Sequence, residues 1–455
     1  MSLYNHFTKH IFLPFGDILL GTNISERLQF LEESQWWSSQ KLEEFQNKKL
    51  QELIRHAYSN VPYYHNLFRS LNLVPDDIRS IEDLSKLPIL TKDEIRKNMN
   101  DFVATNIPKK KMIRVSTSGS SGMPFEFIID NNELSTFRAI GIRTWEVAGY
   151  NLGDKIATVS GSALLPQRMT FLKKMSFTVN RNLPLSSFNM NSEKVMSYSK
   201  RLLDFKPKFL RGYPSSISII AKYIIENNIE FNLSAIMTTA ETLLPSQRKT
   251  IMEAFNCDVF DLCGCKDGGE CLFECGEHVG YHVGCEQSIH EFVNENGISV
   301  SNNEVGSIVL TDLWNYSMPF IRYDAGDMAI YTDEMCSCGR GLPLVKSIVG
   351  RTADQIVLPD GSLLPGLTFT DILDNSGNDG NAHKIDDYQI IQENINKFTI
   401  NLVINENYSE NTTSEILNFF EGHMGIPLDI DFKFVDKIPK TEANKRKLIV
   451  SKVRE

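Results

Sequence analysis

No apolar run in this chain is long enough to cross a membrane as a helix; the longest candidates are interrupted by Asp17 near the start and by Lys222. The first residues do not combine a charged lead, an apolar core and a small-residue cleavage site, so no secretory signal is expected. Positive charge is not in excess. With 47 Lys and Arg against 57 Asp and Glu the net charge is −10, which argues against a general nucleic-acid binder. Cysteine is missing from most of the chain: all eight lie between Cys257 and Cys338. Disulfide scaffolds spread their cysteines through short secreted chains, so this clustering points instead to a metal or to a cysteine-rich pocket. Internal repeats and low-complexity tracts are also absent. A soluble cytoplasmic protein, with no membrane span and no nucleic-acid partner, is the expectation.

What is present is an ordinary globular composition, 42% hydrophobic and 23% charged, over 455 residues. That length exceeds a single core, so two or three domains are expected. From Ile24 to about Asn100 apolar residues recur at helical spacing, as in Leu28, Leu31, Leu42 and Phe45. Val61-Pro62 should stop one helix, and Thr91 followed by Asp93 and Glu94 should cap the start of another. From about Met112 short β-rich runs alternate with helices: strands at Ile156–Val159, Phe209–Gly212, Ile236–Thr239 and Asp258–Leu262, helices at Ser216–Asn227 and Pro245–Phe255. Such alternation predicts α/β layers on a mostly parallel sheet. After Gly350-Arg351 the pattern changes. Strands at Gln389–Gln392, Lys397–Val403 and Asp429–Phe434 surround a helix at Thr413–His423, and Asp374 to Asp387 reads as a mobile loop. The expected fold class is α/β: a large multi-layer domain with mixed parallel sheets, followed by a small mobile α+β domain. The expected boundaries are a helical part over 1–100, a core over 101–350 and a small lid over 351–455.

One segment gathers hydroxyls and glycines, Ser116, Thr117, Ser118, Gly119, Ser120, Ser121 and Gly122, between a basic run and an alternating apolar strand from Phe125 to Ile129. A loop of this kind can offer backbone amides and hydroxyls to a polyphosphate, or be a plain surface turn. It is not a Walker A loop, and GxGxxG spacing is absent. Four segments follow it in order: Thr238-Thr239-Ala240-Glu241, Met318 to Asp327, Gly350-Arg351-Thr352-Ala353-Asp354, and Pro439 to Arg446. With these the chain resembles the adenylate-forming acyl-ligase superfamily. It is most similar there to the phenylacetate–CoA ligase-like branch that includes capsular polysaccharide biosynthesis proteins, a branch also marked by Val61-Pro62-Tyr63-Tyr64 and Leu87-Pro88-Ile89-Leu90-Thr91-Lys92.

The resemblance implies an enzyme: an AMP-forming acid ligase that uses ATP and magnesium to convert a carboxylic acid to an acyl-adenylate with loss of pyrophosphate. It implies that Ser116 to Gly122 hold phosphates, that Asp327 binds the ribose, and that Arg351 assists at ribose or phosphate. Lys445 on the small domain is the implied catalytic cation, with Glu241 also at the nucleotide. Tyr213, Pro214, Thr239 and Ala240 are the implied acid pocket. Where relatives carry aromatic-Gly-x-Thr/Ser-Glu, this chain has Cys263-Gly264-Cys265-Lys266-Asp267. Cys263 and Gly264 therefore stand at the adenine and Asp267, one methylene shorter than Glu, at the magnesium. Any departure from the relatives is expected there. A structural zinc is implied at Cys275, His282, Cys336 and Cys338, with His278 or Cys271 as substitutes. Coenzyme A is the implied acceptor; the alternatives are an amine or sugar acceptor in polysaccharide biosynthesis, or a non-catalytic nucleotide-binding relative. The oligomeric state is left open by the sequence, with a dimer as one option.

Overall fold

The computed structural model describes residues 2–117, 125–161, 176–188, 190–351, 355–361, 363–365, 369, 373, 384–440 and 446–453. The helical opening follows the sequence pattern. Ser38 accepts from the Lys41 amide and starts the helix Ser39–Asn60, which buries Leu42, Leu50, Leu53, Ile54 and Ala57. Val61 is extended, as a residue before proline must be, and Pro62 opens the next helix at its first position. Thr91 accepts from the Glu94 amide at 3.2 Å and caps Lys92–Lys97. This layer is tied to the site by buried Tyr64. Its hydroxyl donates to the Pro319 carbonyl at 2.9 Å and accepts from the Ile321 amide at 3.1 Å, fixing the strand approach to Asp327.

The main sheet has eleven described strands. Asn182–Ser186, Ile156–Ser160, Phe209–Gly212, Ala235–Thr239 and Asp258–Cys265 lie side by side and parallel. Their apolar residues are buried by helices such as Pro214–Glu226 and Pro245–Phe255, as parallel strands require. Beyond Asp258–Cys265 every pairing is antiparallel: Glu270–Glu274, Tyr281–Val283, Leu344–Arg351, Tyr323–Tyr331, Val305–Asp312 and Ser288–Val293. The expectation of a mostly parallel sheet is thus corrected to a mixed one. The second half is joined by turns such as Lys266 to Gly269, which are too short to carry a crossover helix.

A separate four-stranded sheet orders Asp429–Phe434, Lys397–Ile404, Ile385–Asn394 and Ile449–Ser451. The helix Glu410–Met424 buries Ile416, Phe420 and Met424 against Phe398, Ile400 and Leu402. The loop expected over Asp374 to Asp387 is corrected at its end. Ile385 starts a strand paired with Ile404, because Ile385, Tyr388 and Ile390 are needed in that core; residues 374–383 lie outside the described residues.

Candidate active site

The Ser/Gly segment springs from an antiparallel hairpin, Ile113–Ser116 with Glu126–Ile129, in which Ser116 faces Glu126. Thr117 closes its neck: its amide donates to the Phe125 carbonyl at 2.9 Å and its hydroxyl accepts from the Phe125 amide at 3.2 Å. Ser116 is exposed beside it. Ser118, Gly119, Ser120, Ser121 and Gly122 lie outside the described residues.

The expected pocket residues sit at the carboxyl ends of neighbouring parallel strands, where open α/β sheets bind ligands. Tyr213 and Pro214 follow Phe209–Gly212 and are buried; Thr239 and Ala240 end Ala235–Thr239 and are half-buried. Gly212 permits this crowding, since a Cβ there would lie 1.9 Å from the Val159 carbonyl oxygen. Ala240 adopts φ 71°, a left-handed turn that a non-glycine residue adopts seldom. The turn aims Glu241 two ways: one carboxylate oxygen accepts from the Ser215 amide at 3.2 Å, the other from the Arg446 amide at 2.8 Å. Arg446 is held in turn by Asp387 at 2.6 Å and by the Tyr388 ring at 4.9 Å. Arg446 is thereby fastened to the strand ends; Lys445 lies outside the described residues.

Asp327 and Arg351 are direct partners in register, with Nε and Oδ1 3.3 Å apart. A residue the sequence reading missed belongs beside them. Glu270 faces Cys265 across the strands Asp258–Cys265 and Glu270–Glu274, is 2% exposed, and neither of its oxygens meets a nitrogen or oxygen donor among the described residues. Burial, then the adjacent Asp327 carboxylate, push it well above the usual carboxylate range. Asp267 is differently placed. Its Oδ2 accepts from the Tyr323 hydroxyl at 2.6 Å and lies 3.4 Å from Lys92 Nζ, so that oxygen of the buried carboxylate is engaged by protein partners. Gly264 is required by the tight pairing, because a Cβ would lie 2.5 Å from the Glu270 carbonyl oxygen. Burial also pushes the Cys263 and Cys265 thiols far up, which keeps both neutral.

The elevated Glu270 has a measurable consequence. The folded protein holds its proton more tightly than the unfolded chain, so this group favours folding below the ordinary carboxylate pKa. That contribution is lost as pH rises through the elevated folded value. Glu270→Gln should therefore melt higher than the parent at pH 8, with the gap shrinking toward pH 4 in calorimetric scans; a gap that grows on acidification would contradict the assignment.

Cys275, His282, Cys336 and Cys338 place their ligand atoms within 4.8 Å of one another. Cys275 and Cys336 sulfurs are 3.6 Å apart, and Cys338 sulfur is 3.3 Å from His282 Nε2. Four ligands about 2.3 Å from one zinc have sulfur–sulfur edges of about 3.8 Å, so the donor set and spacing fit a closed tetrahedral site. Burial pushes the imidazole down to about 4, the neutral form that ligates. Hydrogen bonds from Arg340 outweigh burial and hold the Cys338 thiol below its usual range. The substitutes fall elsewhere: His278 pairs with Glu274 at 3.4 Å, and Cys271 is buried in the main core.

This mixed sheet with its small C-terminal α+β sheet is the architecture of the adenylate-forming acyl-CoA ligases. A 2-hydroxyisobutyryl-CoA ligase in the postadenylation state, in complex with 2-HIB-AMP, matches with a TM-score of 0.70 at 18% identity, covering 90% of this chain and 89% of that one. The same ligase with 2-HIB-AMP and CoA in the thioesterification state gives 0.56 at equal coverage. ATP-bound MatB from Rhodopseudomonas palustris gives 0.52 at 13% identity, over 73% of this chain and 65% of that one. In sequence, Protein CapK of Staphylococcus aureus is 26% identical over 418 residues, 90% of this chain and 89% of CapK. The phenylacetate-coenzyme A ligase of Thermus thermophilus is 26% identical over 340 residues, 72% of this chain and 74% of that protein. Residues 368–452 match the CapK C-terminal domain, and the chain is similar to CapK over most of its length.

Proposed function

We propose that this chain is an ATP-dependent acid ligase that forms an acyl-adenylate with release of pyrophosphate and passes the acyl group to coenzyme A. The observation that carries the reading is the 2.8 Å contact between Glu241 and the amide of Arg446, the residue after the expected catalytic Lys445, at the strand ends that bear the expected acid-pocket residues. The higher TM-score against a postadenylation state than against a thioesterification state of one ligase supports the same arrangement. The Ser116–Gly122 loop would hold the phosphates and Asp327 the ribose hydroxyls, with Arg351 orienting that carboxylate. Lys445 would stabilise charge on the α-phosphate and acyl oxygens, and the domain over 351–455 would act as its carrier. Glu270, buried beside Asp327, would join Asp267 at the nucleotide's magnesium. Bound magnesium would neutralise phosphate charge. Tyr213, Pro214, Thr239 and Ala240 would border the acid.

The acceptor is tested by product mass. Incubation with ATP and an accepted acid should give the acyl thioester when coenzyme A is added; an amide formed only with an added amine or amino sugar would favour polysaccharide modification instead. A second reading, a nucleotide binder without turnover, is favoured by the engagement of Asp267 Oδ2 by protein partners; calorimetric ATP binding without pyrophosphate release would select it.

The Cys275, His282, Cys336 and Cys338 cluster would hold a structural zinc that joins Glu270–Glu274 and its successor strand to the segment entering Leu344–Arg351. Cys336→Ser should lower bound zinc from near one per chain to near zero by elemental analysis and lower the melting temperature. Full zinc retention would remove Cys336 from the ligand set.

A further inference from the structure

Eight of the 23 exposed large apolar side chains among the described residues fall within the first 20 positions. Leu3, Phe7, Ile11, Phe15 and Ile18 form a stripe along one run of helix, Leu3–Phe7, Thr8–Phe12 and Leu13–Leu20. The middle turn is π-helical and takes up one additional residue, which keeps the spacing of four on one line. Phe12, Leu19 and Leu20 widen the stripe; Leu3 is 78% and Ile18 79% exposed.

The helix is amphipathic in reverse. Its polar side faces the protein: Asn5 donates to Asp154 at 2.9 Å, Thr8 is buried, and Lys9 pairs with Glu32 and, at 3.4 Å, with Glu146. Asp17 accepts from the Ile24 and Ser25 amides at 2.9 and 2.8 Å and so starts the next helix. Leu13 alone packs on the main core. A helix docked by its polar side and showing its apolar side outward has the outward side as its functional face.

Charge decides what that face meets. In a chain with net charge −10, none of the exposed residues from Ser2 to Gly21 is a carboxylate. The ionisable groups there are His6 and His10, with rings 4.5 Å apart, and Arg181 stacks on Tyr4 at the rim, 4.6 Å from the ring. Val179 beside it, whose carbonyl accepts from Tyr4, is also exposed. Arg181 is the fixed cation at the rim, and a second copy would offer this face no exposed carboxylate from residues 2–21 to meet it, whereas anionic headgroups complement it.

We infer that residues 3–20 form an interfacial anchor that lies flat in the headgroup boundary of an anionic lipid bilayer. The helix is about 27 Å long, runs along the protein surface, and would dip its apolar side about 5–10 Å into the membrane. Among the described residues no helix is long and apolar enough to cross a membrane, so attachment would be to one leaflet.

The test is sedimentation of the full chain with vesicles of phosphatidylglycerol and phosphatidylcholine, and with phosphatidylcholine alone. The parent should pellet with the mixed vesicles and less with the neutral ones. Phe7→Ser/Phe15→Ser/Ile18→Ser should weaken partitioning tenfold or more with an unchanged melting curve, since these side chains are exposed. Ile18→Glu alone gives the same reading should the triple variant fail to fold. A parent that stays in the supernatant with both vesicles, or a folded variant that pellets like the parent, overturns the proposal. A parent dimer that the variant converts to monomer without any vesicle binding also overturns it and assigns the face to a second copy.

Discussion

Lys445→Ala is expected to slow acyl-adenylate formation by about 100- to 1,000-fold, the loss that follows removal of one preorganised donor at developing oxyanion charge. The structural ground is its neighbour. Arg446 is fixed at the strand ends by its amide on Glu241, by Asp387 at 2.6 Å and by the Tyr388 ring. Calorimetric ATP affinity should change little, because the loop from Ser116 and the Asp327–Arg351 pair are untouched. Arg446→Ala should slow the same step while leaving Lys445 in place, since it removes the side-chain grip on Asp387 and Tyr388. Lys445→Ala with undiminished pyrophosphate release would take Lys445 out of the chemistry.

Glu286→Ala is expected to destabilise the protein by about 3–5 kcal/mol, the cost of leaving one partner of a buried ion pair alone. Arg143 and Glu286 are both 0% exposed and 3.0 Å apart. Glu286 also accepts from the Ser34 hydroxyl at 2.9 Å, and its backbone carbonyl accepts from Trp314 Nε1 at 2.8 Å. One carboxylate therefore joins helix Ile24–Ser34, helix Asn131–Val147 and the loop before strand Ser288–Val293. Its loss strands a guanidinium whose other neighbour is the Phe273 ring at 4.9 Å. Denaturant titration followed by circular dichroism reads the change, and Arg143→Met/Glu286→Leu should recover most of it by replacing the charges with apolar volume. A midpoint within error of the parent would contradict the buried-pair account.

Much of the fold was legible because its elements announce themselves locally. Phe209–Gly212, Pro245–Phe255 and Asp429–Phe434 stand at the expected residues, each bounded by a proline, glycine or charged turn. The antiparallel half of the sheet was not, since strand direction depends on which partner a strand meets and the short turn at Lys266 to Gly269 gives no periodic signal. Glu270 was missed for a related reason. An acid after two glycines reads as a turn, and only the pairing of Glu270 with Cys265 turns it inward beside Asp327. The Cys/His cluster was legible from its residue types, and the antiparallel pairing of Leu344 with His282 brings its two halves together. The N-terminal helix shows the limit most clearly: the helical pattern was read only from Ile24 onward, and the outward stripe of Leu3, Phe7, Ile11 and Phe15 emerges only with the docking of Asn5 and Asp17.

The central claim is that this site activates a carboxylic acid with ATP. The direct measurement is acid-dependent exchange of labelled pyrophosphate into ATP over a panel of aliphatic, aromatic and sugar-derived carboxylic acids. Exchange that requires one of those acids and disappears in Lys445→Ala is the predicted result. ATP binding with no exchange for any acid would contradict it.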